Sequence, residues 1–198
     1  MNLTTIVLAA GQSSRMGEPK FFLPLSGSTL LRLAVTAALE VSKTAPVIIV
    51  TGAYDAAIRE HLAPDDRISI VHNPGWSAGM ASSLAAGVRA ATIHAPGHYL
   101  ITLADQPTMT AANLARLTAA SLRWPDRIIA TAYPERAGVP AIFPATFTDE
   151  LTGQQGAFGA RRLIKREGGR VRTITFNFTP VDIDTPEDYQ RFKDHPPQ

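Results

Sequence analysis

The chain has 198 residues, of which 45% are hydrophobic and 18% charged, a composition that excludes an intrinsically disordered protein and allows a full-sized core. The formal net charge of +2 comes from 19 basic and 17 acidic side chains, too even a balance to indicate a nucleic-acid or membrane partner by itself. The chain has no cysteine, which excludes disulfides, thiolate metal sites and a cysteine nucleophile.

Along the first two thirds of the chain, short apolar runs alternate with segments in which apolar residues recur at helical spacing. The predicted strands are Thr5–Ala9, Pro46–Thr51, Ile68–Val71, Tyr99–Leu103 and Arg127–Ala132. The predicted helices between them are Leu30–Val41, a segment after Gly52 that ends near Leu62, Met80–Ala91, and a segment after Thr110 that ends near Leu122. The strands are continuously apolar and show no two-residue alternation, so we expect an α/β fold with a mostly parallel sheet covered by helices on both faces.

The regular alternation of predicted strands and helices ends after Pro134. The predicted elements there are an extended piece Gly138–Pro144, a helix Gly156–Glu167, a strand Val171–Phe176 and a helix Pro186–Phe192 capped by Thr185. No break in composition marks a linker, which predicts a single domain over residues 1–198. No basic segment precedes the short apolar run near the start, and no run approaches the roughly 18 apolar residues of a membrane span, so we expect a cytoplasmic protein.

Three turn-prone stretches follow predicted strands, at the sheet edge where α/β proteins bind ligands: residues 8–20, 72–83 and 104–107. The first reads LAAGQSSRMGEPK. Gly11 and Gly17 let the backbone turn N–H groups toward an anion, while Arg15 and Lys20 supply positive charge for phosphate oxygens. Because Phe21 follows Lys20, the stretch is not a Walker A loop. The spacing of these residues alone is compatible with a phosphate-binding loop and with a solvated turn.

This stretch resembles the signature loop of the MobA-like nucleotidyltransferases. The matching residues are Leu8, Ala9, Ala10, Gly11, Ser13, Arg15, Met16, Gly17, Pro19 and Lys20. Further similarity covers NPGWSAGMASSL (73–84), LADQP (103–107), GAFGARRL (156–163) and DIDTPEDY (182–189). The Ala-Ala-Gly and Pro-Lys pairing resembles the branch that includes molybdenum cofactor cytidylyltransferase. The resemblance implies a three-layer, Rossmann-like fold of the GT-A nucleotidyltransferase type.

The resemblance also implies which residues bind a nucleoside triphosphate, within a nucleotide-binding part of about residues 1–110. These are Leu8, Ala9, Ala10, Gly11, Arg15, Lys20, Asn73, Gly79, Ser82 and Ser83. Arg15, Lys20 and Asp105 are the implied catalytic residues. For Trp76 and Met80, packing in the core is the favoured interpretation.

Asp105 directly follows a predicted buried strand, where a carboxylate either caps a turn or binds a hard cation such as Mg²⁺. The family pattern implies Asp184 as its partner, with Asp182 as the alternative, and alternation along a short strand would put both on one side. The competing interpretation for Asp184 is N-terminal support of the helix that begins near Pro186.

Gln106 and Arg161 are the implied acceptor-binding residues, within an acceptor part of about residues 111–198. Arg161 opens a basic run to Arg172, for which a solvated helix face is the alternative interpretation. Cytidylyltransferases of this branch typically carry Gly-His-Pro where this chain has Val139 between Gly138 and Pro140. Valine neither titrates nor donates a hydrogen bond, which puts recognition of a pterin in question.

The implied reaction transfers CMP from CTP to the phosphate of molybdopterin, with Mg²⁺ as cofactor, pyrophosphate as leaving group and a molybdenum hydroxylase as recipient. One alternative is the same chemistry on another phosphate monoester, such as a sugar phosphate. Another is a non-catalytic nucleotide-binding factor for cofactor maturation. A nucleic-acid-binding role is disfavoured, because the basic residues are few and no aromatic residues interleave them.

Overall fold

A computed structural model describes residues 2–195. The strands are β1 (Leu3–Ala9), β2 (Pro24–Leu25), β3 (Ser28–Thr29), β4 (Val47–Thr51), β5 (Ile68–His72), β6 (His98–Leu103), β7 (Ile128–Tyr133), β8 (Arg136–Pro144) and β9 (Val171–Ile174). The helices are α1 (Leu30–Val41), α2 (Asp55–His61), α3 (Met80–Ala91), α4 (Ala111–Arg123), α5 (Thr148–Thr152), α6 (Ala160–Arg166) and α7 (Pro186–Asp194). No helix within this range is long and apolar enough to cross a membrane.

Seven strands form one sheet in the order β5-β4-β1-β6-β8-β7-β9, and β2 and β3 form a separate two-stranded ribbon. Neighbouring strands from β5 to β6 are parallel, whereas β8 runs antiparallel to both β6 and β7. Only Pro134 and Glu135 connect β7 to β8, and so short a connection joins antiparallel strands. The mostly parallel α/β sheet is confirmed, with β8 as its antiparallel exception.

Helices cover both faces of this sheet. On β1, Ile6 and Leu8 pack into the core beneath α3 and α6, while Val7 and Ala9 pack into the core beneath α1. All seven residues of β1 are buried, as expected for a strand covered on both faces. The parallel pairing of β1 with β6 places the carboxyl ends of these strands, and the residues that follow them, side by side.

Two predictions for the last third of the chain are wrong. The helix expected from Gly156 begins only at Ala160, because Gly156 (φ +78°) and Gly159 (φ +46°) lie in the left-handed region, outside helical geometry. Asp182 and Asp184 do not lie on a strand: residues 175–184 are irregular, and the Ile183 N–H donates to the Asp105 carbonyl at 2.9 Å. The cap predicted at Thr185 is present, and it forms a capping box with Asp188 at the start of α7.

Candidate active site

A cleft of about 560 Å³ opens at the carboxyl ends of β1 and β6. Nine of the sequence-predicted site residues line it: Leu8, Ala10, Gly11, Arg15, Lys20, Gly79, Ser83, Asp105 and Asp184. Of the predicted nucleotide-binding residues, Ala9, Asn73 and Ser82 are not in its wall. The fold therefore brings all three turn-prone stretches together, the second of them through the turn after β5 and the N-terminal end of α3.

Asn73 lies behind the cleft wall. Its Nδ2 donates to Ser82 Oγ at 2.9 Å and to Ser83 Oγ at 3.0 Å, and its Oδ1 accepts from the Gly75 N–H at 3.0 Å. These bonds join the turn after β5 to the first turn of α3. Asn73 thus shapes the loop that carries Gly79.

The sequence predicts core positions for Met80 and Trp76, and this prediction is wrong. Met80 is 41% exposed, and both side chains line the cleft, with Gln12, Ser14, Phe21 and Ser77 as further wall residues that the sequence did not single out. The signal that was available is position, since Trp76 and Met80 flank Gly79 beyond the carboxyl end of β5.

The charged centre of the cleft is Lys20. Its Nζ lies 2.5 Å from Asp105 Oδ2 and 2.8 Å from Asp184 Oδ1, and its side chain is only 10% exposed. Arg15 Nη2 lies 2.9 Å from Asp184 Oδ2, at the exposed side of the cluster. The predicted catalytic residues thus share one network, and Asp184, rather than Asp182, shares the Lys20 ammonium with Asp105.

Mutual pairing keeps this network charged. Burial by itself would lower the pKa of the Lys20 ammonium, but the charges and hydrogen bonds of Asp105 and Asp184 outweigh it and raise that pKa above its ordinary value. Burial would likewise raise the pKa of Asp184, but the hydrogen bond and charge of Lys20, together with Arg15, hold it below 3.8.

We expect acid to erase the stability that Asp184 contributes. Because its pKa is depressed in the folded state, that contribution is present above pH 3.8 and is lost as pH falls through the folded value. Chemical denaturation at pH 7 and about pH 3 should show a free-energy gap between wild type and Asp184→Asn that shrinks in acid. The exposed Asp66→Asn serves as control. A gap that stays constant or widens in acid would contradict this assignment.

The two carboxylates suit a hard cation. Asp105 Oδ1 is buried and has no hydrogen-bond partner, which leaves an oxygen available to a ligand once the cluster rearranges. Within residues 2–195 no group of three or more His, Asp or Glu side chains is placed to hold a metal ion. The remaining ligands of a cation here would therefore be water and substrate oxygens, the arrangement that Mg²⁺ prefers.

A second, smaller cavity of about 150 Å³ adjoins the cleft, and Asp182 is one of its lining residues. Gln106 Nε2 donates to Asp182 Oδ1 at 2.6 Å, and the Tyr133 hydroxyl donates to the Val139 carbonyl at 2.5 Å. Burial, followed by the charge of Asp105, raises the pKa of Asp182. Gln106 and Arg161, the predicted acceptor residues, both line this cavity.

The two cavities share walls. Leu8, Met80, Leu103, Ala157 and Asp182 border both. Two ligands bound in them would lie against each other at this boundary, as the reacting groups of a two-substrate transferase must.

Comparison with known proteins agrees with this architecture. Residues 5–171 match the MobA-like NTP transferase domain. The chain is 34% identical to nicotine blue oxidoreductase of Paenarthrobacter nicotinovorans, over 96% of this chain and 95% of that protein. It is 29% identical to molybdenum cofactor cytidylyltransferase of Escherichia coli (strain K12), over 93% and 92% of the two chains.

Solved structures show the same fold. The crystal structure of Rv0371c from Mycobacterium tuberculosis H37Rv superposes with a TM-score of 0.84 at 28% identity, covering 98% of each chain. A manganese complex of Rv0371c gives a TM-score of 0.76 at 26% identity, covering 98% of this chain and 99% of that one. With its Rossmann-like sheet, its charged cleft and a domain match over most of its length, the chain belongs to the MobA-like NTP transferase family of nucleotidyltransferases.

Proposed function

We propose that this enzyme transfers CMP from CTP to the phosphate of molybdopterin and releases pyrophosphate. The observation that carries the proposal is the Lys20 network at the base of a cleft that opens onto a second cavity. The E. coli relative named as a molybdenum cofactor cytidylyltransferase supports the choice of CTP and of the pterin.

In the proposed reaction an oxygen of the acceptor phosphate attacks the α-phosphorus of CTP. The new P–O bond forms as the bond to the β-phosphate breaks, and the electron pair leaves with pyrophosphate. A phosphate monoester has a second pKa of about 6 and is largely a dianion at neutral pH, so no general base is needed. The protein's task is to align the reactants and neutralise their charge.

Lys20 and Arg15 supply that charge. Lys20 is held deep in the cleft, and Arg15 lies at its exposed rim, so together they can contact successive phosphates of one chain. Each cation–anion pair is worth about 4 kcal/mol at about 4 Å and an effective dielectric of about 20. Leu8, Ala10, Gly11, Gly79 and Ser83, which line the cleft, would hold the nucleoside, and Asn73 and Ser82 would support the turn before α3.

Asp105 and Asp184 would hold a Mg²⁺ ion. When bound, such an ion draws charge from the triphosphate and so favours departure of pyrophosphate. The manganese complex of Rv0371c supports a divalent cation in a protein of this fold.

The second cavity would take the acceptor, with Gln106 and Arg161 as its recognition groups. With this function we also propose a cytoplasmic, single-domain enzyme that passes its product to a molybdenum hydroxylase.

A second candidate is transfer to another phosphate monoester, such as a sugar phosphate. The observation in its favour is Val139, which lines the acceptor cavity with an apolar side chain where the resemblance leads us to expect histidine. The chemistry at the α-phosphorus would be unchanged.

The test is pyrophosphate release from CTP, GTP, ATP and UTP with Mg²⁺, with and without molybdopterin. We expect release from CTP only when the pterin is present. Release with a sugar phosphate instead would favour the second candidate, and CTP binding without turnover on any acceptor would favour a non-catalytic factor. A further assay follows reduction of nicotine blue, because the Paenarthrobacter relative is named as an oxidoreductase of that compound. Turnover there alone would overturn the proposal.

A further inference from the structure

The Lys20 ammonium fills the space between the two carboxylates that would hold a metal ion. One oxygen of Asp105 and one of Asp184 lie within 2.8 Å of the same Nζ atom. A cation bound by both oxygens has to occupy the same position. Lysine and metal ion therefore exclude each other from this site.

The other two carboxylate oxygens offer no alternative opening. Arg15 Nη2 holds Asp184 Oδ2 at 2.9 Å, and the unpartnered Asp105 Oδ1 is buried, so a cation reaches it only after the cluster around Lys20 rearranges. No third carboxylate or histidine within the described residues completes the site. A free divalent cation reaching the cleft thus meets two ligands, both already neutralised by positive side chains.

Displacing Lys20 without replacing its partners is unfavourable. Its side chain is 90% buried, and a buried ammonium that loses both carboxylates is left without compensation. A triphosphate changes this, because its oxygens provide new partners for Lys20 and complete the coordination of the metal ion.

We propose that Lys20 acts as an internal counter-ion that closes the Asp105–Asp184 site to free divalent cations and releases it to a metal–triphosphate complex. The metal ion therefore binds in the cleft together with the nucleotide, and not before it. The inference rests on the proposed function in one respect: the triphosphate is the ligand that moves Lys20.

The first test measures binding of Mn²⁺ alone by electron paramagnetic resonance, without nucleotide. We expect Lys20→Met to bind Mn²⁺ about tenfold more tightly than wild type, because the removed cation no longer competes for the carboxylates. The gain should disappear in Lys20→Met combined with Asp105→Asn. Arg15→Met is the matched control: it removes one positive charge from the same cluster, but leaves Lys20 in place and should gain far less. Equal Mn²⁺ affinity in wild type and Lys20→Met would overturn the proposal.

The second test uses the unmodified protein, in case Lys20→Met does not fold. The ammonium signal of Lys20 is followed by ¹H–¹⁵N NMR and assigned as the signal missing from Lys20→Arg. Mg²⁺ alone should leave it in place, whereas Mg²⁺ with CTP should shift it. A shift with Mg²⁺ alone would overturn the counter-ion role. Absence of CTP binding would count against the nucleotide proposal, while the metal-only measurements still decide this one.

Discussion

Replacing Asp105 with Asn is expected to lower kcat for CTP-dependent pyrophosphate release by about 100-fold or more, because charge stabilisation by a bound metal ion is worth several kcal/mol and about 1.4 kcal/mol corresponds to tenfold. Asn keeps the shape of the side chain and an oxygen toward Lys20, but loses the negative charge that we propose holds the cation. The backbone carbonyl of residue 105, which accepts from the Ile183 N–H, is unchanged. We therefore expect the fold to persist.

Steady-state assays of pyrophosphate release, with a thermal melt of each protein, test this prediction. Asp66→Asn makes the same change of charge on an exposed side chain and should retain full activity. Lys20→Ala should lose activity as Asp105→Asn does, since both belong to one network. Near-normal rates in both Asp105→Asn and Lys20→Ala would remove these residues from the mechanism.

Gly79→Ala is expected to destabilise the fold by about 2 kcal/mol or more and to weaken CTP binding. Gly79 has φ +109° and ψ 174°, a region open essentially to glycine alone. A Cβ atom there would lie 2.8 Å from the Gly156 carbonyl oxygen and 2.9 Å from its carbonyl carbon. These are backbone atoms, so relief requires the loop to move. The Ala81 N–H donates to the same Gly156 oxygen at 3.1 Å, which couples the loop to the start of α3.

Chemical denaturation gives the free energy of unfolding, and titration calorimetry gives the affinity for CTP. Gly169→Ala is the matched control, because nothing lies within 4 Å of the added Cβ and its φ is not positive. We expect it to change stability by less than about 0.5 kcal/mol. If Gly79→Ala matched it in both measurements, the close approach of α3 to residue 156 would not shape the cleft.

Local signals were sufficient for most of the helices and strands. Helices α1 and α3 begin and end where the sequence predicts, because Thr29 caps the first and regular apolar spacing defines both. The position of β8 between β6 and β7 could not be predicted, since strand order depends on contacts between distant segments. The available clue to its direction was the two-residue connection at Pro134 and Glu135.

The site was predictable in outline for a similar reason. The carboxyl ends of parallel strands meet at one sheet edge, which brings Lys20 and Asp105 together. The separation of Asp182 from Asp184 was not predictable, because the segment is irregular and strand alternation does not apply to it. The prediction for Met80 is wrong because the apolar pattern of a helix does not distinguish a core residue from one that faces a cleft; only its position beside Gly79 indicates the cleft.

The most direct test of the account is transfer of label from CTP carrying ³²P at the α-phosphate. With Mg²⁺ and molybdopterin, we expect the label in a product that joins CMP to the pterin phosphate, and none in the released pyrophosphate. Label that stays in CTP while the protein binds both substrates, or that appears only as free CMP, would contradict nucleotidyl transfer by this cleft.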